Sequence, residues 1–365
     1  MDKKKIIHIV PTFELGGVQT GILYSLEDLN KVFDYKVLVI GRVDAEWLKN
    51  LSPHLHVHII RTGTNSLFFG ALRAFKILKK LSPHIIISSL WKSVLIAASY
   101  KLFYPKVYLL GFFHNAFPYH FIGNCFLQIM VRFQNSALAD SNETKTFLKE
   151  RYNVEQTDVI PYNFSFEKPG LKRRAFDPSF IRLVFFGRLS QNKGIDRNLE
   201  FCRLCKEAGI SFEYHLYGDI AEQENRESTY ELMIRRLGIE NEVTIKKVVP
   251  NDMVLEKMHE YDFLLHLSNM EGMALAVVEA MNCGLVPVVT PVGEIRHYSK
   301  DGENAIWLQP QVENNMHDLL GKLKNVVSHP TKYYQISAAA AQTFKHYKKY
   351  SEAMIEALDS KLRKI

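Results

Sequence analysis

The sequence predicts an α/β protein of two domains, each a parallel sheet with helices on both faces. Three observations predict it. Short apolar runs of strand length alternate with stretches of helical periodicity along the chain, the pattern of parallel strands joined by crossover helices. A chain of 365 residues is long enough for two cores. The alternation breaks between Asn163 and Ser179, where two prolines, a glycine and a run of charge intervene, and then restarts.

In the first domain Ile6–Val10 is expected as a buried strand and Val18–Leu29 as the helix after it, with Gly16-Gly17 at its entrance. Tyr35–Ile40 reads as a strand, Ala45–Leu51 as a short helix and Val57–Ile60 as a strand. Leu67–Lys80 has apolar residues at Leu67, Ala71, Ala74, Phe75 and Leu78 and reads as an amphipathic helix. Strands are expected at Ile85–Ser88, Val107–Phe113 and Ala137–Ala139, and helices at Ser93–Tyr100, Phe121–Phe133 and Asn142–Arg151. In the second domain the expected strands are Ile181–Phe186, Phe212–Tyr217, Val243–Lys246, Phe263–Leu267 and Val286–Thr290. The helices between them are Arg197–Glu207, Ser228–Leu237, Asn251–Glu260 and about Met273–Asn282, with Gly284 as the stop of the last. A final helix is expected over Ser351–Leu362. Ligands of such sheets bind at the carboxyl ends of the strands, where Gly16, His114 and Gly187 fall.

The chemistry concentrates around two glutamates eight positions apart, Glu271 and Glu279. One lies just before a helix start and the other inside the helix, about 9–12 Å along its axis. The free N–H groups of the helix start, at Gly272, form an anion site between them. A diphosphate fits there, with a sugar beyond one carboxylate and a ribose diol beyond the other. Upstream, Phe185-Phe186-Gly187-Arg188-Leu189-Ser190-Gln191-Asn192-Lys193-Gly194 reads as a strand end, a turn and a helix entrance. Gly187 allows close backbone approach, Arg188 can grip phosphate oxygens with its planar fork, and Lys193 adds a point charge. Each segment alone also fits a strand–loop–helix with solvated charges; chance is a poor account of the two together.

These segments resemble glycosyltransferase family four, retaining enzymes of the GT-B fold, of the bacterial surface-polysaccharide type. The resemblance covers most of the chain. It also includes Glu14-Leu15-Gly16-Gly17-Val18-Gln19, Phe113-His114-Asn115 and Leu216-Tyr217-Gly218-Asp219; the E-x7-E helix with the CGLVPVVT that follows is its most specific block. It implies two Rossmann-like β/α/β domains with parallel sheets facing across a cleft. Residues 1–165 would bind the acceptor and 166–345 the nucleotide sugar, with residues 346–365 as a helix packing back on the first domain. Arg188 and Lys193 would hold the donor diphosphate, Glu271 would contact hydroxyls of the transferred sugar, and Glu279 would hold the ribose diol. The backbone at Gly16 and Gly17 would approach the donor, and His114 would lie beside the sugar near the reaction centre. Gly187, Gly272, Met273 and Ala274 complete the expected donor-binding set. The chain departs from the family pattern at Met273-Ala274, at Val292-Gly293-Glu294 and at Ile220 after Gly218-Asp219. These departures leave the reaction class standing and bear on the sugar and the base.

The activity implied is transfer of a sugar, with retention, from a nucleotide diphosphate sugar to a hydroxyl of a glycan or polyprenyl-diphosphate-linked acceptor. A UDP-sugar is expected from the family's habit. No D-x-D occurs in the sequence, so the diphosphate charge falls to Arg188, Lys193 and the helix start. No cofactor and no metal are expected. The leaving phosphate would assist deprotonation of the acceptor, so no general base is assigned; Glu271 as a covalent nucleophile is the minority reading. The competing readings are a nucleotide-sugar epimerase on the same fold and a non-catalytic nucleotide-sugar-binding subunit. A dinucleotide enzyme would want G-x-G-x-x-G after the first strand, which Leu15-Gly16-Gly17-Val18 does not supply.

Charge is uneven. Residues 1–165 carry 19 Lys and Arg against 12 Asp and Glu, the whole net excess of +7; residues 166–365 carry 27 of each. A basic acceptor domain suits an anionic inner membrane surface or a diphosphate-linked acceptor. No nucleic-acid-binding motif accompanies the charge. The four cysteines make neither a disulfide framework nor a zinc set: Cys202 and Cys205 share a helix with no second pair. The apolar run before Pro11 is too short for a signal peptide, and no apolar stretch reaches spanning length. A cytoplasmic protein, peripheral on the inner face of the membrane, is expected.

Overall fold

The computed structural model describes residues 3–14, 16–43, 53–64, 66–114, 121–164, 173–219, 227–309 and 315–364. The chain divides into one unit of residues 1–164 and 348–365 and another of residues 165–347.

The first unit runs β1 (Lys5–Val10), α1 (Gly17–Val32), β2 (Asp34–Val39), α2 (Pro53–His56), β3 (Ile59–Arg61), α3 (Leu67–Leu81), β4 (Ile85–Ser89), α4 (Val94–Phe103), β5 (Tyr108–Phe113), α5 (Phe121–Phe133), β6 (Ser136–Ala139), α6 (Asn142–Tyr152) and β7 (Thr157–Val159). Its sheet has the order β3-β2-β1-β4-β5-β6-β7 and every pairing is parallel. β4 and β5 are buried along their whole length, because helices cover both faces. This is why they read as continuous apolar runs rather than as alternation. The third strand starts at Ile59 rather than at the expected Val57, because Pro53 opens a short helix that uses the chain as far as His56. The expected helix at Ala45–Leu51 lies outside the described residues.

The second unit runs β8 (Ile181–Phe186), α7 (Ile195–Glu207), β9 (Phe212–Tyr217), α8 (Glu227–Arg236), β10 (Val243–Lys246), α9 (Asn251–Met258), β11 (Phe263–His266), α10 (Leu275–Asn282), β12 (Val286–Val289), α11 (Ile295–Tyr298), β13 (Ile306–Trp307), α12 (Asn315–Ser328) and α13 (Pro330–Thr343). Its sheet has the order β10-β9-β8-β11-β12-β13, again parallel throughout. Cys202 and Cys205 of α7 lie in its core beside Phe201 and Tyr214. Burial pushes the Cys205 thiol up to about 12, as for packing residues rather than metal ligands.

The last helix, α14 (Tyr350–Leu362), belongs to the first unit. Tyr350 is buried with ring contacts to Tyr162 at 5.5 Å and Phe164 at 5.4 Å. Its N–H donates to Asn163 O at 2.7 Å, and Lys361 pairs with Asp158 at 2.6 Å. Gly21 of α1 gives these rings room: a Cβ there would stand 3.1 Å from Tyr162 and 3.3 Å from Tyr350. Among the described residues no helix is long and apolar enough to cross a membrane.

Each sheet reverses its strand order once, between β1 and β4 and between β8 and β11. At such a point the loops after the two strands diverge and leave room for a ligand. The sequence-predicted residues fall after these strands: Gly16 and Gly17 after β1, Gly187 to Lys193 after β8, and Glu271 after β11. His114 follows β5.

Candidate active site

The second unit brings Lys193 and Glu271 together across 78 positions of sequence. Lys193 donates to both carboxylate oxygens, at 2.8 and 2.7 Å. His266, the last residue of β11, donates from Nε2 to Glu271 Oε1 at 2.6 Å, and the Ser268 hydroxyl donates to the same oxygen at 2.6 Å. His266 Nδ1 has no partner, and its ring lies flat on Phe185 at 5.2 Å. Burial alone would raise the Glu271 pKa. The charge of Lys193, the imidazole of His266 and the hydrogen bonds from both outweigh it and hold the carboxyl well below the usual range. Among the described residues, three hydrogen bonds fall on Oε1 and one, from Lys193, on Oε2.

Two glycines set the loop that carries Glu271. Gly194, at φ +64°, lies so close to β11 that a Cβ would stand 1.9 Å from Leu267 O. Gly293, at φ +56°, presses from the other side, where a Cβ would stand 2.1 Å from Glu271 O. No side chain fits at either position. Asn269 ties the loop to the turn after β8, with its N–H on Asn192 O at 2.9 Å and its side chain on Gln191 O at 2.8 Å. The N–H of Glu294 donates to Gly272 O at 3.0 Å, and the Tyr298 hydroxyl to Met273 O at 3.1 Å. Beneath, Asn198 of α7 accepts from the Leu267 N–H at 3.1 Å. These bonds fix where Glu271 can point.

The helix after this loop starts later than the sequence predicts. Leu275 is its first residue, and Ala274 is the N-cap, in the left-handed region at φ 57° and ψ 66°. Gly272 and Met273 are loop, so the free N–H groups of the helix tip lie nearer Glu279 than expected, and the helical rise does not measure the Glu271–Glu279 separation. An alanine in this region costs about 1 kcal/mol, and such strain gathers at working sites. Glu279 is buried on α10 and makes no side-chain hydrogen bond among the described residues. Burial pushes its carboxyl up to about 8. Arg188 is exposed and forms no ion pair among the described residues, so its guanidinium is open to an anion. Gly187 beside it is also exposed.

In the first unit His114 ends a chain of neutral hydrogen bonds. Tyr35 Oη meets His8 Nδ1 at 2.6 Å, and His8 Nε2 meets Ser89 Oγ at 2.7 Å. Ser89 Oγ meets His114 Nε2 at 3.0 Å, and His114 Nδ1 meets Tyr162 Oη at 3.2 Å. Burial lowers the pKa of both imidazoles to about 3, for His8 with a further contribution from His114, so both rings are neutral at pH 7. Each ring nitrogen of the two histidines thus meets a hydroxyl oxygen. Both ring nitrogens of His114 are therefore engaged within the first unit. His114 also lines a pocket with Trp91, Val94, Phe112 and Met130. At the head of α1, Gly16 is extended at φ 178°, and a Cβ on Gly17 would meet nothing within 4 Å, leaving that backbone open. The Asn115–His120 part of the aromatic stretch after β5 lies outside the described residues.

Sequence reasoning missed the residues that hold these groups: His266 and Ser268 for Glu271, and His8, Ser89 and Tyr162 for His114. His266 and Ser268 were in plain view, five and three positions before Glu271, a spacing that joins them only when the strand ends in a tight loop.

Residues 172–343 match the family described as "Glycosyl transferases group 1". The chain is 29% identical over 174 residues to the amylovoran biosynthesis glycosyltransferase AmsK of Erwinia amylovora, a stretch covering 44% of this chain and 39% of that protein. It is 26% identical over 132 residues to the GDP-mannose:cellobiosyl-diphosphopolyprenol alpha-mannosyltransferase of Xanthomonas oryzae pv. oryzae, covering 36% of this chain and 34% of that protein. The matched segments thus span well under half the length of these relatives. The structure of Anabaena HepE, solved in complex with UDP and glucose, superposes with a TM-score of 0.80 at 20% identity, over 98% of this chain and 100% of that one. The fold of the two parallel-sheet units is thus GT-B, and the stretch 172–343 of the second unit resembles the glycosyl transferases group 1 family.

Proposed function

We propose that the chain is a retaining glycosyltransferase. It moves a sugar from a UDP-sugar to a hydroxyl of a glycan or polyprenyl-diphosphate-linked acceptor in surface polysaccharide synthesis. The observation that carries the reading is Glu271, a carboxylate held ionised at the end of β11 by a lysine and followed eight residues later by a second buried carboxyl, Glu279. Arg188 and Lys193 take the donor diphosphate. As the anion arrives, Lys193 shares its charge between phosphate and Glu271, whose Oε2 turns to the sugar hydroxyls. Glu279 takes the ribose diol, which supplies the hydrogen-bond donors its side chain lacks. The backbone at Gly16, Gly17, Gly187, Gly272, Met273 and Ala274 and the residue His114 complete the donor contacts. In the reaction the bond from the anomeric carbon to the phosphate oxygen breaks, and a bond to the acceptor oxygen forms on the same face. The acceptor proton passes to the leaving phosphate, whose charge the cations stabilise. This arrangement needs no metal or cofactor.

The relatives support the reading by their names, which are those of polysaccharide glycosyltransferases, one acting on a diphosphopolyprenol. The HepE complex was solved with UDP, and the mannosyltransferase name specifies GDP-mannose. The test is therefore a panel of UDP- and GDP-sugars, read first as ligand-induced thermal shift and then as nucleotide release with and without a polyprenyl-diphosphate-linked glycan. UDP-sugar binding with acceptor-dependent release that survives chelator supports the proposal. Sugar conversion without acceptor makes the chain an epimerase, binding without turnover makes it a non-catalytic subunit, and strict metal dependence removes the charge-neutralisation role given to Arg188 and Lys193.

A further inference from the structure

We propose that His266 is a positioning residue of the transfer, which keeps the Glu271 carboxylate ionised and in place while Lys193 is drawn to the donor diphosphate. The inference rests on the transferase reading of the same site. It goes further in naming what compensates Glu271 during the reaction. In the free protein one lysine answers the charge of a carboxylate whose side chain is only 4% exposed. A buried carboxylate that loses its cation is costly unless hydrogen bonds replace it. The proposed reaction asks Lys193 to serve the diphosphate as well. That demand peaks as the bond to the anomeric carbon breaks, when negative charge gathers on the leaving phosphate. The anomeric carbon gains positive charge at the same moment, and an ionised carboxylate on the sugar then matters most.

His266 and Ser268 are what remains on Glu271, each at 2.6 Å from Oε1. An ionised carboxylate only accepts, so His266 Nε2 carries a hydrogen, and a hydrogen bond of this kind favours the charged form of the carboxyl. Nδ1 is buried without a partner. The contact with Glu271 is thus the only hydrogen bond of the imidazole among the described residues. Burying an imidazole with one nitrogen unsatisfied costs free energy, so packing alone does not account for a histidine at the end of an apolar strand. A need for its N–H on Glu271 does. The ring is also held still. It lies within 13° of parallel to Phe185 at 5.2 Å, on a strand between β8 and β12. Lys193, by contrast, is 30% exposed on a flexible stem.

The test compares the wild type with His266→Phe and His266→Gln, using the UDP-sugar and acceptor that the wild type accepts. Phenylalanine keeps a flat ring against Phe185 and removes the N–H; glutamine restores an N–H on a side chain of similar reach. Melting temperatures show that each variant is folded. His266→Phe should lower kcat by about 10- to 100-fold and leave the donor KM within about threefold of wild type, since Arg188 and Lys193 still receive the diphosphate. His266→Gln should bring kcat back to within about fivefold of wild type. Nitrogen NMR spectra of the histidine-labelled wild type, taken without donor, should show His266 protonated at Nε2, with the signal assigned by its loss in His266→Gln. A bare Nε2 would overturn the inference and leave the transferase reading untouched. So would a phenylalanine variant with the wild-type kcat, a change in KM alone, or a glutamine variant as slow as the phenylalanine one. Should the phenylalanine variant not fold, the NMR spectrum and the glutamine variant decide. A wild type that transfers no sugar from any donor removes the transferase reading, and this role of His266 with it.

Discussion

At the end of β5, His114 gives both ring nitrogens to neutral partners, and burial keeps it and His8 uncharged. At the end of β11, Glu271 draws a lysine, an imidazole and a hydroxyl onto one carboxylate and stays ionised. Both are buried polar clusters beside a sheet's reversal of strand order, yet they are built for different tasks. In the neutral chain all four imidazole nitrogens have a hydroxyl partner. In the charged cluster Lys193 is part-exposed, while the Glu271 carboxylate it pairs with is buried. The first arrangement is neutral throughout, and the second joins charges of opposite sign.

Glu279 and the two buried histidines should respond to pH in opposite directions. Glu279 has a folded-state pKa of about 8, above its unfolded value. The folded state keeps a proton that the unfolded chain releases, so this stability is full below about pH 4.5 and is lost as pH rises through about 8. Wild type should lose on the order of 4 kcal/mol over that range relative to Glu279→Gln, read from urea unfolding of the second unit at a series of pH values. A flat difference between the two proteins would contradict the buried, unpaired carboxyl. His8 and His114, with lowered values, act in the other sense: their contribution to the first unit is present above pH 6.5 and is lost as pH falls toward 3.

Lys193→Ala should rank next. It leaves the Glu271 carboxylate buried without its cation and should cost about 3 kcal/mol in urea unfolding. A loss no larger than for an exposed lysine would mean that the pair is not formed in solution. Ser89→Ala removes the link between two buried imidazoles and should cost about 2 kcal/mol. Differential hydrogen exchange should place that loss in the first unit, with the second unchanged. Arg188 has no ion-pair partner among the described residues, so Arg188→Ala should leave the melting temperature as it is, while weakening donor binding by roughly tenfold in calorimetric titration. Equal affinity in the variant would remove Arg188 from the site. Smallest is Ala274→Gly, which should stabilise the second unit by about 1 kcal/mol by relieving the left-handed alanine; a loss of stability would show that the methyl group does more in packing than in strain.

The central strands were legible because a parallel strand covered on both faces must be apolar throughout: β1, β4, β5, β8 and β11 follow the expected runs within a residue or two. β7 and β13 were not, since three residues with Thr157 and Asp158, or two at Ile306–Trp307, carry no period. α12 and α13 also went unnamed. The start of α10 misled for a local reason: Gly272-Met273-Ala274 has the composition of a helix entrance, but the press of Gly293 on Glu271 holds those residues in a loop. The charged residues of the site could be chosen by type and spacing. Their partners could not, because the contact of Lys193 with Glu271 and of His8 with Ser89 and Tyr35 exists only once strands far apart in sequence lie side by side.

The return of α14 to the first unit has a consequence for how the protein is made. Residues 1–164 leave the ribosome early, but the socket formed by Gly21, Tyr162 and Phe164 stays empty until Tyr350 emerges. During the whole interval in which the second unit is synthesised, the earlier one waits with an open aromatic seam. The half that begins folding first is thus sealed last, and a nascent chain halted before Tyr350 would present that seam to any chaperone or protease nearby.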